Sequence, residues 1–113
     1  MSQLPRVGPP IYSDALDDPD MIELVMMFVD EMPARADMIL SSFSNKDWKS
    51  LAGEAHKLRG SAGGHGFQSV GDVAGTLEDT IRSASGQEDA ALANIQQQVN
   101  DLINLCRRVS FKQ

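Results

Sequence analysis

The run Ala55-His56-Lys57-Leu58-Arg59-Gly60-Ser61-Ala62-Gly63-Gly64 holds the residues best able to do chemistry, and His56 is one of two histidines in the chain. An imidazole has a reference pKa of about 6.5, so at neutral pH it is largely unprotonated and nucleophilic. What such a ring can do depends on whether it is covered. On a helix, at about 100° per residue, Leu51, Ala55, Leu58 and Ala62 define a core axis, and His56 lies roughly 120° from it. It therefore stands at the edge of the buried stripe and faces outward. Helical side chains lean toward the N-terminus. A large residue at position 60 would lie across the ring, and Gly60 leaves it bare. His56 itself leans back over Ala52 and Gly53, where there is room, and Gly63 follows two turns on. A bare, neutral imidazole suits the acceptance of a phosphoryl group. Arg59, one turn on and near the same face, is the cation best placed beside the resulting negative charge. Lys49 lies on the same row two turns earlier. Lys57 is adjacent but angled away.

Each of these residues also has a plainer reading. Arg59 could be a solvated arginine beside the core edge. Small residues could simply let another helix pack closely, and Gly63 and Gly64 could simply end the helix. Gly53 and Gly60 fit that account poorly. Each interior glycine weakens a helix by about 1 kcal/mol relative to alanine, and these two flank an outward-facing ring, not the apolar stripe.

The elements that must position this stretch are helices. Asp18-Pro19-Asp20 reads as a start, with Asp18 as N-cap and Pro19 at the first helical position. A long helix from about Pro19 to Phe43 carries Met21, Val25, Phe28, Met32, Ile39 and Phe43 on one stripe. The stripe keeps its phase across Pro33, which predicts a kink and no full break. Asn45-Lys46-Asp47 makes a short connection, with Asn45 a candidate cap. The second helix carries Trp48, Leu51, Ala55, Leu58 and Ala62, and a bend is expected over 63–68. The third carries Val70, Val73, Ala74, Leu77, Ile81 and Ala84 and stops near Ser85-Gly86. The fourth carries Leu92, Ile95, Val99, Leu102, Cys106 and Val109. No segment alternates like a strand for any length. The expected fold is all-α, an antiparallel up-down-up-down four-helix bundle over 19–113, preceded by an N-terminal arm or short extra helix over 1–18 with a turn near Ile11 to Leu16.

Composition bounds the function. The chain has 113 residues, 42% of them hydrophobic and only 5% aromatic, so aliphatic residues and Met must build most of one core. Its net charge is −6, with no run of Lys or Arg, which argues against nucleic acid and anionic membranes. No apolar run approaches a membrane span, and residues 1–18 lack the apolar region of a signal peptide. Cys106 is the single cysteine and cannot form an internal disulfide. A soluble, monomeric cytoplasmic protein is the expectation.

With the elements in place, the chain resembles the histidine-containing phosphotransfer (HPt) domain of phosphorelays. The family pattern is a histidine, any residue, a hydrophobic residue, lysine, glycine and a small residue, continuing through small residues to a second glycine. Here it reads His56-Lys57-Leu58-Arg59-Gly60-Ser61, continuing Ala62-Gly63-Gly64-His65-Gly66-Phe67. Asp47-Trp48, Leu77-Glu78 and a proline such as Pro33 in the preceding helix also resemble family features. The resemblance covers roughly residues 18–110. It implies that His56 is the phosphorylated residue, that Gly60 keeps it accessible, and that position 59 supports the phosphoryl group. This chain departs from the usual lysine there with Arg59. The resemblance further implies exchange of the group with an aspartate of response-regulator receiver domains, and a hybrid sensor histidine kinase as a further partner. The chain itself would hold no cofactor, since the receiver brings the acidic pocket and Mg²⁺. No P-loop or Gly-rich nucleotide motif is present, so the domain is expected to be a carrier and not an ATP-dependent kinase. Met1 and the modest length suit a stand-alone carrier.

Other assignments fare worse. His65 lies about half a helical circle from His56 with no cysteine near, which disfavours a metal site. It is expected to be structural or exposed. Ser61, five residues from His56, gives no helical register for a nucleophile and base pair. Asp14, Asp17, Asp18 and Asp20 suit a positive helix end. Met26, Met27, Met38, Leu40 and Val29 widen the apolar face of the first helix. They are core, or a surface covered by the N-terminal arm, or, with Gly53 and Gly63, part of a receiver-docking surface. The competing function is a helical interaction module that has lost phosphotransfer. A histidine kinase dimerisation domain would need an ATP-binding domain, for which 113 residues leave no room.

Overall fold

The structure, a computed structural model, describes residues 8–111. Residues 1–7 of the expected arm, and 112–113, lie outside the described residues. Among the described residues the chain forms four α-helices: α1 (Pro19–Ser44), α2 (Trp48–Gly64), α3 (Gln68–Ser83) and α4 (Leu92–Arg108). A single 3-10 turn, Glu88–Ala91, leads into α4.

Local chemistry accounts for the boundaries. Asp18 caps α1, its side chain accepting from the Asp20 N–H, and Pro19 takes a first-turn position whose N–H would have no helical partner. α1 runs through Pro33 unbroken, as the continuous apolar stripe requires. Asn45 ends α1, while Asp47 caps α2 by accepting from the Ser50 N–H at 3.2 Å and the Ser50 hydroxyl at 2.8 Å. Those bonds hold the Asp47 carboxyl below its ordinary pKa. α2 ends at Gly64, as the Gly63-Gly64 pair suggests, and the bend is confined to residues 65–67.

Each helix packs on its neighbours in sequence, and α1 closes the ring against α4. Val25, Phe28, Met32 and Ile39 meet Leu51, Ala55, Leu58 and Ala62, and Val70, Ala74, Leu77 and Ile81 meet Ile95, Val99 and Leu102 in one buried cluster. Met21, Phe43, Trp48 and Val73 lie at its margin, half-buried. Cys106 is in the core, where burial pushes its thiol up to about 12 despite the charges of Arg35 and Arg107. A thiol that stays protonated is a poor nucleophile.

The N-terminal segment is more ordered than a loose arm. Ile11–Tyr12 (β1) pairs in parallel with Val109–Ser110 (β2), Ile11 opposite Val109 and Tyr12 opposite Ser110. The expected α4 residue Val109 thus belongs to this pair and not to the helix. Arg108 Nε donates to the Pro9 carbonyl at 2.9 Å. The buried Ser13 hydroxyl donates to the His65 carbonyl at 2.5 Å, and the Asp14 N–H donates to the Gly66 carbonyl at 3.0 Å. Gly66 has φ +84°, and a Cβ there would lie 2.8 Å from the Asp14 and Ala15 nitrogens, so only glycine lets the arm approach. The arm therefore ties the α2–α3 turn to the end of α4.

Candidate functional site

His56 sits in the middle of α2, on the side that borders α3. Its side chain is 68% exposed, as the wheel position predicts. One ring nitrogen is engaged. His56 Nδ1 lies 3.0 Å from Glu78 Oε2 and 3.2 Å from Oε1. Glu78 comes from α3 and is only 5% exposed. Among the described residues it and Ser13 are the buried polar or charged side chains.

An unpaired buried carboxylate would be costly, and Glu78 is well paired. Arg82 Nε donates to Oε2 at 2.8 Å and Arg59 Nη1 to Oε1 at 3.4 Å. Burial alone pushes the Glu78 carboxyl up. The Arg82 hydrogen bond, the hydrogen bond and charge of His56, and the Arg59 hydrogen bond outweigh it, and the carboxyl titrates below its ordinary value. Glu78 is thus an anion at neutral pH. Nδ1–H donating to it is the tautomer that leaves the other nitrogen, Nε2, as the acceptor.

The small neighbours behave unequally. A Cβ built at Gly53 or Gly60 would meet nothing within 4 Å, so both stand in open space on the His56 side of α2. Gly63 differs. A Cβ there would lie 3.2 Å from Gln68 Oε1, so Gln68 at the start of α3 covers it. Gly71 of α3 lies against α2, where a Cβ would sit 3.4 Å from the Arg59 carbonyl oxygen, and this glycine does serve close helix packing.

The cations are also sorted by their partners. Arg59 pairs with Asp79, Nη1 to Oδ1 at 3.3 Å, as well as with Glu78. Lys57 points the other way and pairs with Glu54 at 3.6 Å. Lys49 lines a groove of about 360 Å³ with Trp48, Ala52, Ile81, Arg82, Ser85 and Glu88. His56 leans toward Ala52, the floor of that groove. The second histidine is wedged. The His65 ring stacks on Phe28 at 4.8 Å and 17°, with Nδ1 2.7 Å from the Ser61 carbonyl oxygen.

Met26 and Met27 are exposed, with Ile22, Leu24 and Met38. They do not share one face, since successive residues on a helix are about 100° apart. Asp37 of α1 approaches Arg107 of α4 at 3.9 Å, which fixes the α4 side of α1. Met26 lies near that side. Leu24, Met27 and Met38 lie further round the helix, about 80° to 140° from Asp37. Leu24, Gly75, Asp79 and Arg82 carry no signal in the sequence alone, and Glu78 stands out there only as a family feature. A charged residue at the border of an apolar stripe is an ordinary solvated edge until its cross-helix partner is known.

The Hpt domain family model matches residues 23–108, which takes in all of α2, α3 and α4 and most of α1. The chain belongs to the Hpt domain family. Searches of curated proteins and of solved structures gave no match. Membership places this Hpt domain in phosphorelay signalling with response regulators and kinases as the family's partners. Among the described residues, no helix is long and apolar enough to cross a membrane.

Proposed function

We propose that the protein is a phosphocarrier that takes a phosphoryl group on His56 and exchanges it with an aspartate of response-regulator receiver domains. The observation that carries this is the pairing of an exposed imidazole with a buried anionic Glu78. Glu78 holds Nδ1–H, so Nε2 keeps its lone pair on the solvent side. Attack on an aspartyl phosphate forms the Nε2–P bond and breaks the P–O bond to the acyl group, and the aspartate leaves as a carboxylate. The ring gains positive charge as it gains phosphorus, and Nδ1–H stays bonded to the Glu78 carboxylate, which offsets that charge. No proton need leave. The reverse step returns the group, so one geometry serves both directions. Glu78 is a positioning residue here. Arg82 and Arg59 keep it ionised, and Arg59 is also the cation nearest the phosphoryl group.

The receiver supplies Mg²⁺ and its own acidic pocket, and the carrier supplies no metal. Lys49, Arg59 and Arg82 gather cations on the His56 face of a chain of net charge −6, where Glu78 and Asp79 balance the two arginines. Leu24 and Met27 are exposed apolar residues of α1 near the end of α2 that the Phe28–His65 stack marks, and they offer a partner apolar area. The connections 45–47 and 65–67 are short enough that successive helices reverse direction, the up-down-up-down course of the bundle. The chain works as a cytoplasmic monomer whose carrier bundle begins at Pro19.

The test uses a receiver domain labelled on its aspartate with radioactive acetyl phosphate. Mixed with it, the native chain acquires acid-labile, base-stable label, and His56→Gln acquires none. Equal labelling of both would refute the assignment.

A further inference from the structure

Arg59 does not simply stand beside His56. Its side chain crosses from α2 onto α3 above Gly75, where a Cβ would lie 3.0 Å from Nε, 3.2 Å from Cδ and 3.3 Å from Cζ. Beyond this bare stretch its Nη1 meets Asp79 Oδ1 at 3.3 Å. Glu78 and Asp79 are neighbours in sequence but about 100° apart around α3. Glu78 is buried and shared with His56 and Arg82, whereas the Asp79 side chain is 68% exposed. Asp79 therefore draws the guanidinium toward the outer edge of α3, away from the row of His56. A glycine floor with a carboxylate at its end is a resting place shaped for an arginine.

We infer that Asp79 is a positioning residue that competes with the phosphoryl group for Arg59. In the unphosphorylated chain Arg59 rests over Gly75 against Asp79. When His56 carries the phosphoryl group, Arg59 turns back to it, and its contact with Glu78 keeps it within reach. This rests on the reading of His56 as the phosphorylated residue. An ion pair between exposed groups is worth no more than about fivefold in an equilibrium, and a phosphoryl group offers more charge and more acceptor oxygens than a carboxylate. The exchange is favourable, but Asp79 subtracts its share. Asp79 thus tunes the phosphohistidine toward release.

The experiment loads native chain, Asp79→Asn, Gly75→Ala, Arg59→Gln and the double variant Asp79→Asn/Arg59→Gln from the same labelled receiver. It then follows the half-life of the purified phosphohistidine and the equilibrium share of label between carrier and receiver. Asp79→Asn changes an exposed group, and alanine is a better helix former than the glycine it replaces at 75, so both chains fold. Each is expected to lengthen the half-life about two- to fivefold and to move the equilibrium toward the carrier by the same factor. Arg59→Gln shortens it, and adding Asp79→Asn to Arg59→Gln changes nothing further. A half-life in Asp79→Asn that is unchanged or shorter, or a gain that persists without Arg59, overturns the inference while leaving phosphorylated His56 in place. Failure of the native chain to take label overturns both.

Discussion

His56 and His65 belong to one helix and its cap, and their surroundings are opposites. His56 is flanked by open space at Gly53 and Gly60 and touches a single buried carboxylate. His65 lies flat on Phe28, which stacks in turn on Phe67 at 5.3 Å and 16°. Its carbonyl oxygen accepts from Ser13, and its ring bonds the Ser61 carbonyl. One ring is held by one atom and left free at the other. The other is held by stacking and hydrogen bonds in a closed bundle end. The contrast shows that a nucleophilic histidine is made by what surrounds it.

That division can be broken from the closed end first. Phe28→Ala removes the ring between His65 and Phe67 and should cost about 3–5 kcal/mol of folding stability, read as a lower midpoint in urea unfolding. Where the variant is still folded, its His56 should accept label at the native rate. A large loss of transfer in folded protein would mean that the two regions are coupled.

The open row along α2 should respond in the reverse sense. Gly60→Leu meets no atom within 4 Å of its Cβ, and leucine suits a helix interior better than glycine. Stability should hold or rise. The leucine leans toward His56 and covers Nε2, so transfer from the receiver should fall on the order of a hundredfold. Unimpaired transfer would show that the bareness of this row is not what the chemistry needs. A Leu at Gly53, on the other flank of the ring, sharpens the point, because it leans away from His56 and should do less.

Most of the fold was legible because burial imposes a period. Val25, Phe28, Met32 and Ile39 repeat at helical spacing, and they are buried. The outward place of His56 followed from the same wheel. What a wheel cannot show is the register of one helix on another. Glu78 lies beside a stripe of its own helix, and only the packing of α3 on α2 turns it toward Nδ1. The same packing sends Arg59 over Gly75 to Asp79, where the sequence suggested only a cation near the ring. The β1–β2 pair spans two residues on each side, too few for alternation to register. Gly63 looked like part of the open row, and Gln68, which covers it, is a neighbour through the turn and not along the helix.

The smallest expected effect is read in acid, at the carboxylate that holds His56 and has no counterpart at His65. Glu78 has a folded-state pKa below the usual Glu value of 4.5. A depressed carboxylate contributes stability that is fully present above its unfolded value and is lost as pH falls through the folded one. Between pH 7 and 5 Glu78 should therefore add no pH dependence of its own. Below about 4.5 the contact between α2 and α3 should begin to weaken, and the contribution should be gone once the pH is under the folded value. Glu78→Gln should flatten that part of the stability curve, and a matching change at His65 should not. The same variant keeps an acceptor for Nδ1–H but removes the charge that offsets the phosphorylated ring. Transfer at pH 7 should fall in Glu78→Gln with the chain fully folded, and a native rate would mean that the carboxylate orients the ring without stabilising its charge.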